Sequence, residues 1–197
     1  MPSIGIDFGT TNSLIVAYDK KKNAFSYFNF KDRGNTPTPT SSTVWYHDGT
    51  VEVGKIARDN INLFGDMEGH HFERSIKLKL GTSQNLNIFG DSVPPYSVAG
   101  RIISRLKEVA INEWKAEKVG VDMSRAVFTV PINFSGDARR DLRKAANEAG
   151  IEITTFSGIY TCGFTSNFFY GCTCSPFPFA QSAEADEEKT LLGRENC

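Results

Sequence analysis

The order of apolar and polar positions divides the chain into stretches of two different periods. Ser3-Ile4-Gly5-Ile6-Asp7-Phe8 and Ser13-Leu14-Ile15-Val16-Ala17-Tyr18 are short β-rich runs parted by the turn formers Gly9-Thr10-Thr11-Asn12, and Ala24-Phe25-Ser26-Tyr27-Phe28 follows a polar break. Runs of this length between turn residues predict three strands in an antiparallel meander. In Arg33-Gly34-Asn35-Thr36-Pro37-Thr38-Pro39-Thr40 each proline biases its predecessor to extended geometry, which excludes regular structure and marks a boundary into a second subdomain. Residues 42–46 and 50–53 then flank His47-Asp48-Gly49, a hairpin signal.

Helical spacing is weak over residues 55–64 and strong after Pro94-Pro95, where Val98, Ile102, Ile103, Leu106, Val109, Ala110 and Trp114 share one face. Ala126-Val127-Phe128-Thr129-Val130 is apolar almost throughout, which predicts a strand buried on both faces of a parallel sheet. Asp137 is placed to cap a second helix, whose Ala138, Leu142, Ala145, Ala146 and Ala149 share a face and which stops at Gly150. Ile151-Glu152-Ile153-Thr154-Thr155 begins another strand. Meander, helix, strand, helix and strand make an α/β layer with an insertion between Thr36 and Pro95.

Composition narrows the partners. The chain has 197 residues, enough for one domain or one half of a two-lobed protein, and 22 Lys and Arg stand against 23 Asp and Glu. That balance leaves no electrostatic footprint for nucleic acid or an anionic membrane, and the basic run Lys20-Lys21-Lys22 reads as a solvated turn. No apolar stretch reaches the roughly 20 residues that span a bilayer, and the opening Met1-Pro2-Ser3-Ile4-Gly5-Ile6-Asp7 lacks a charged n-region, so a cytoplasmic location is expected.

All four cysteines, Cys162, Cys172, Cys174 and Cys197, lie after residue 160, among a dense group of aromatic residues. Their spacing does not supply the paired ligands of a zinc site, and reduced thiols are the expectation. Adjacent side chains at His70 and His71 diverge on any regular backbone, and these histidines are expected to be exposed in a loop.

The chemistry concentrates in Gly5-Ile6-Asp7-Phe8-Gly9-Thr10-Thr11-Asn12-Ser13, where an acid ends a strand and a glycine turn follows. Successive turn N–H groups and hydroxyls make an anion-binding concavity, and a nearby carboxylate can hold the water shell of Mg²⁺. Phosphate with its metal suits such a turn, and an ordinary hairpin has the same pattern. It is not a Walker loop, because no Gly-Lys-Ser/Thr follows. Asp7-Phe8-Gly9 is no kinase signature either, since the accompanying kinase loops are absent.

Three motifs, in order, resemble the first lobe of the nucleotide-binding domain of the seventy-kilodalton heat-shock chaperones, members of the actin-like ATPase superfamily. The segment around Asp7 is similar to the family's first phosphate loop. The resemblance implies that Asp7 organises the magnesium water shell and that Gly9, Thr10, Thr11 and Asn12 cup the nucleotide phosphates. Arg74-Ser75-Ile76-Lys77-Leu78-Lys79-Leu80-Gly81 resembles the segment whose lysine holds the γ-phosphate and the attacking water, which implies that catalytic role for Lys77 beside Asp7. Ala126-Val127-Phe128-Thr129-Val130-Pro131-Ile132-Asn133-Phe134 with Asp137-Ala138-Arg139-Arg140 resembles the first connecting region, which implies a proline switch at Pro131 and an arginine relay at Arg140. Taken alone, Ile76-Lys77-Leu78-Lys79-Leu80 would be an amphipathic strand with its lysines in water, and Pro131 would merely end a strand.

The implied fold is α/β of the actin-like ATPase (ribonuclease H-like) type, first lobe only. Its core subdomain would be residues 1–36 and 95–155, with an inserted α+β subdomain at 37–94. The implied cofactors are ATP and Mg²⁺, and unfolded clients and co-chaperones are partners expected of a full-length relative. The chain departs from the family in having Ile132-Asn133 where Ala-Tyr is usual, and in a shorter insertion before Pro94. It also has no Glu-Pro dipeptide and no second acid-glycine phosphate loop.

After Thr155 the likeness stops and cysteine and aromatic residues rise together, so residues 156–197 are expected to lie outside the family fold, as a truncation or a reading-frame shift near codon 156 would produce. Translating the DNA in the other two frames tests this: no Glu-Pro followed by an acid-glycine loop would end the idea. A fragment of this kind would have little or no ATPase activity alone. A non-catalytic interaction module, and a sugar-kinase or actin-like relative sharing only the phosphate hairpin, are the alternative readings.

Overall fold

The computed structural model describes residues 3–19, 24–27, 30–31, 37–113 and 121–159. The strands, in chain order, are β1 (Ser3–Asp7), β2 (Asn12–Asp19), β3 (Ala24–Tyr27), β4 (Phe30–Lys31), β5 (Pro37–Thr38), β6 (Thr40–Ser41), β7 (Val44–His47), β8 (Thr50–Val53), β9 (His70–Glu73), β10 (Leu86–Ile88), β11 (Asp91–Val93), β12 (Asp122–Pro131) and β13 (Glu152–Ile159). The helices are α1 (Lys55–Phe64), α2 (Pro95–Glu108) and α3 (Gly136–Glu148), with a 3-10 turn at Ile76–Lys79 and a π turn at Val109–Glu113.

The main sheet runs β13-β12-β1-β2-β3, with β6 paired to β2. β12 lies parallel to both β1 and β13, while β1, β2 and β3 form the antiparallel meander that the alternation implied. Ile4, Ile6, Ala126, Phe128 and Val130 are buried from these strands, and Val98, Ile102, Ile103 and Leu106 of α2 join Leu142, Ala145 and Ala146 of α3 in the same core. Val127 and Thr129, on the other face of β12, are only half-buried. The expectation of a strand covered on both faces is thus met on one, because both helices contribute to a single apolar core. Among the described residues, no helix is long and apolar enough to cross a membrane.

A second sheet, β8-β7-β9, carries α1. The hairpin turns on Asp48 and Gly49, with φ of 48° and 70°, the left-handed pair that a two-residue turn needs. His70 and His71 lie in β9 instead of a loop, opposite His47 and Tyr46 of β7. Trp45 Nε1 donates to His70 Nδ1 at 3.2 Å, which fixes the proton of the neutral ring on Nε2. Half-burial under α1, with Trp45 and Phe64 stacked beside it, explains why His70 is not a solvated loop residue.

Helix α3 is capped by Ser135, whose Oγ accepts from Ala138 N–H at 3.1 Å, and not by Asp137, which sits inside the first turn. It ends where Gly150 takes a φ of 66°. β13 pairs with β12 as far as the match of Ile159 with Pro131, and Phe156 packs against the core beneath Arg143, whose guanidinium carbon is 4.7 Å from the ring centre. The compositional boundary at Thr155 therefore falls inside a strand. The tail cysteines, Lys20 to Lys22, Trp114 and residues 32–36 lie outside the described residues.

Candidate functional site

β1 delivers Asp7 to the end of the sheet, and the link to β2 turns at Gly9-Thr10-Thr11. Thr129, the register partner of Asp7 on β12, donates its hydroxyl to Asp7 Oδ1 at 2.6 Å. The one polar residue in the apolar run 126–131 is thus accounted for: it fixes one carboxylate oxygen and leaves the other without a donor among the described residues. Gly9 is required by space, since a Cβ there would collide with the carbonyl oxygen of Asn12 folding back over it.

The turn is strapped from outside the meander. Gly9 N–H donates to Ser13 Oγ at 3.2 Å, Ser13 Oγ lies 2.9 Å from Ser42 Oγ, and Ser42 Oγ donates to the carbonyl of Gly9 at 3.0 Å. The N–H of Ser42 donates to Thr11 O at 2.7 Å. Both serines are buried. The amides of Thr10 and Thr11 have no acceptor among the described residues. Thr10 and Thr11, with Ser42, Thr43, Glu73 and Ser75, line a cavity of about 500 Å³.

Lys77 sits in a 3-10 turn, not a strand, and the turn inverts the polarity that alternation implies. Lys77 is buried at 8% exposure while Leu78 is exposed at 72%. Leu78 N–H bonds back to Ser75 O at 2.9 Å, and Ser75 holds a φ of 58°, a left-handed conformation that costs a non-glycine residue on the order of 1 kcal/mol or more. The C-terminal end of the turn is fixed by two buried carboxylates. Lys79 Nζ donates to Glu73 Oε1 at 2.7 Å, and Gly81 N–H donates to Asp141 Oδ2 of α3 at 2.9 Å. Gly81, with φ 78°, sits directly against the backbone of Ala138.

Lys77 makes no ion pair among the described residues, and its ammonium lies 5.9 Å from the centre of the Phe134 ring. Burial pulls its pKa below the ordinary lysine value, and the Asp7 carboxylate pushes it partly back. A buried cation with no bonded counter-ion asks for an anion. Lys77 is thus within electrostatic reach of Asp7, while the cavity at Thr10 and Thr11 is lined by Lys79 and not by Lys77 or Asp7.

Pro131 ends β12, and Phe134 N–H closes a turn onto its carbonyl at 3.0 Å. Through Phe134 this turn reaches Lys77. Arg139 Nε anchors the turn by donating to Phe134 O at 3.1 Å, whereas Arg140 points outward and pairs with Asp137 at 3.0 Å. Among the described residues, no group of three or more His, Cys, Asp or Glu is placed to hold a metal ion by direct ligation.

Three curated proteins named chaperone protein DnaK resemble the chain. The one from Mycoplasmopsis pulmonis is 32% identical over 150 residues, 76% of this chain and 22% of that protein. The one from Mycoplasmopsis agalactiae is 31% identical over 76% of this chain and 23% of its own length, and that from Mycoplasma mobile 30% over 76% and 22%. The chain belongs to the DnaK (Hsp70) family. It spans between a fifth and a quarter of the length of these relatives. No protein-family model matches it.

Within this DnaK-family chain the residues that sequence reasoning passed over are those that hold the named ones. Ser42 belongs to Thr40-Ser41-Ser42-Thr43, four consecutive hydroxyl residues that are all buried. A run of hydroxyls where a proline-rich boundary meets a predicted strand signals nothing by itself, and only its contact with Gly9 gives it meaning. Thr129 could have been found as the one polar position in the apolar run of residues 126–131. Asp141 was hidden as one charge among many on α3.

Proposed function

We propose that the described residues form the phosphate-binding lobe of an actin-like nucleotide-binding domain that serves ATP-dependent protein folding in a DnaK-type chaperone. The observation that carries this reading is the buried Lys77, without an ion pair among the described residues and within electrostatic reach of Asp7, whose following turn has Thr10 and Thr11 amides with no acceptor among those residues. The strand order, two parallel strands joined to a three-stranded antiparallel meander, supports an actin-like lobe. Residues 1–36 and 95–155 would be its core, and 37–94 the insertion. Chaperone activity, clients and co-chaperones would belong to a longer protein, a reading supported by the chain's span of less than a quarter of each relative.

The residues suit Mg·ATP. Asp7, through its free oxygen, would hold a water of the Mg²⁺ shell, Gly9 to Asn12 would take the phosphates on backbone amides and hydroxyls, and Lys77 would neutralise the terminal phosphate. Bound Mg²⁺ supplies charge neutralisation of the phosphates. This chain's own residues orient and neutralise, which is most of what phosphoryl transfer asks of a protein. Pro131, linked through Phe134 to Lys77, would report the state of the site to the rest of a full-length protein, with Arg140, exposed and paired with Asp137, placed to carry the signal onward.

The test is binding of Mg·tripolyphosphate to the wild-type, Asp7→Asn and Lys77→Met chains. Loss of binding in both variants with an unchanged fold is the expected result, and binding that survives both substitutions refutes the reading.

A further inference from the structure

The two serines around Gly9 share protons in one direction only. A carbonyl oxygen can only accept, so the single hydroxyl proton of Ser42 is committed to Gly9 O at 3.0 Å. In the 2.9 Å contact between the two hydroxyls, Ser13 must then be the donor. Ser13 Oγ in turn accepts from Gly9 N–H at 3.2 Å. The result is a closed ring: Gly9 N–H to Ser13, Ser13 to Ser42, Ser42 to Gly9 C=O.

The ring consumes both backbone polar groups of Gly9 and sets the turn. In a trans peptide the carbonyl and the following N–H point to opposite sides. Drawing Gly9 O towards Ser42 therefore turns the Thr10 amide to the far side, and the Ser42 N–H on Thr11 O does the same for the amide of Asn12. With the Gly9 and Thr11 carbonyls held on the Ser42 side, the Thr10 and Asn12 amides are presented on the other.

We propose that Ser42, acting through Ser13 and the Gly9 peptides, is a positioning residue that pre-sets this turn for a polyphosphate before any ligand arrives. The proposal rests on the phosphate reading of the turn. It gives the link between β6 and β7 a role in the site although Ser42 lies 33 residues from Gly9.

The experiment uses the full 197-residue chain as wild type, Ser42→Ala, Ser13→Ala and the double variant. Two quantities are read: hydrogen exchange of the Gly9 amide without ligand, and affinity for Mg·tripolyphosphate. Ser42→Ala is expected to keep the exchange of core amides in β1 and β12, to speed Gly9 exchange and to weaken tripolyphosphate binding by about tenfold each, the scale of one lost hydrogen bond. The double variant is expected to match the single ones, because either substitution opens the ring. Unchanged Gly9 exchange in Ser42→Ala, or two single effects that add, overturns the proposal. Wild-type chain that binds no tripolyphosphate sinks the phosphate reading and the positioning role with it, whereas binding that ignores Ser42→Ala sinks the role alone.

Discussion

Thr129 Oγ1 and Asp7 Oδ1 lie 2.6 Å apart across the parallel β1–β12 pair, at positions that are direct register partners. The bond ties the orientation of the acid to a central strand instead of to its own turn. Thr129→Val keeps the shape and removes the donor. It is expected to cost about 1 kcal/mol in urea denaturation, the usual size of one such bond, and to weaken polyphosphate binding without altering the fold. A variant that binds as well as wild type would show that Asp7 needs no such support.

Lys77 gives a prediction whose sign depends on pH. Burial holds its pKa below the ordinary lysine value. Between the folded value and the ordinary one the unfolded chain holds more protons, so stability rises with pH through that window. Below it, the folded chain bears the full cost of a buried charge. Lys77→Met removes that cost and is expected to be more stable than wild type by about 1 to 2 kcal/mol at neutral pH. The gap should shrink as pH approaches about 10, the ordinary lysine range. Denaturation midpoints at several pH values measure this, and a Met variant no more stable at neutral pH would contradict it.

Gly81 holds a left-handed φ of 78° and faces Ala138 so closely that a Cβ would lie 2.5 Å from its backbone nitrogen. Gly81→Ala is expected to destabilise by about 3 kcal/mol, adding backbone strain to a clash with α3. Because the same peptide bonds to Asp141, the substitution should also displace Lys77. Thermal denaturation together with polyphosphate affinity would register both effects.

The contacts proposed for this site reach phosphate and no base. Mg·ATP, Mg·GTP and Mg·tripolyphosphate are therefore expected to bind this chain within about threefold of one another, since specificity needs contacts that differ between ligands. Calorimetry showing micromolar affinity for Mg·ATP alone would mean that the chain carries an adenosine pocket of its own.

The meander, the long helix and the central strand were legible because each follows one period over enough residues for the core to enforce it. The Lys77 segment misled for a physical reason. Five alternating residues fit a strand, yet buried carboxylates at Glu73 and Asp141 hold them as a 3-10 turn with the charge inward. Capping by Ser135 in place of Asp137 is a shift of two residues between equally good side-chain acceptors, which pattern alone does not resolve. The roles proposed for the site's motifs came from the family resemblance, since residue pattern alone read the Lys77 segment as a solvated strand. The hydroxyls of Ser42 and Thr129 were not legible, because they reach the site across 33 and 122 residues of chain that only the fold brings together.

The most direct test of the account follows amide and lysine Nζ resonances while Mg·tripolyphosphate is titrated into the 197-residue chain. Shifts confined to Gly9, Thr10, Thr11, Asn12 and the Lys77 turn, and absent in Lys77→Met, are the expected result. Shifts centred elsewhere, or unchanged in the Lys77→Met chain, would contradict it.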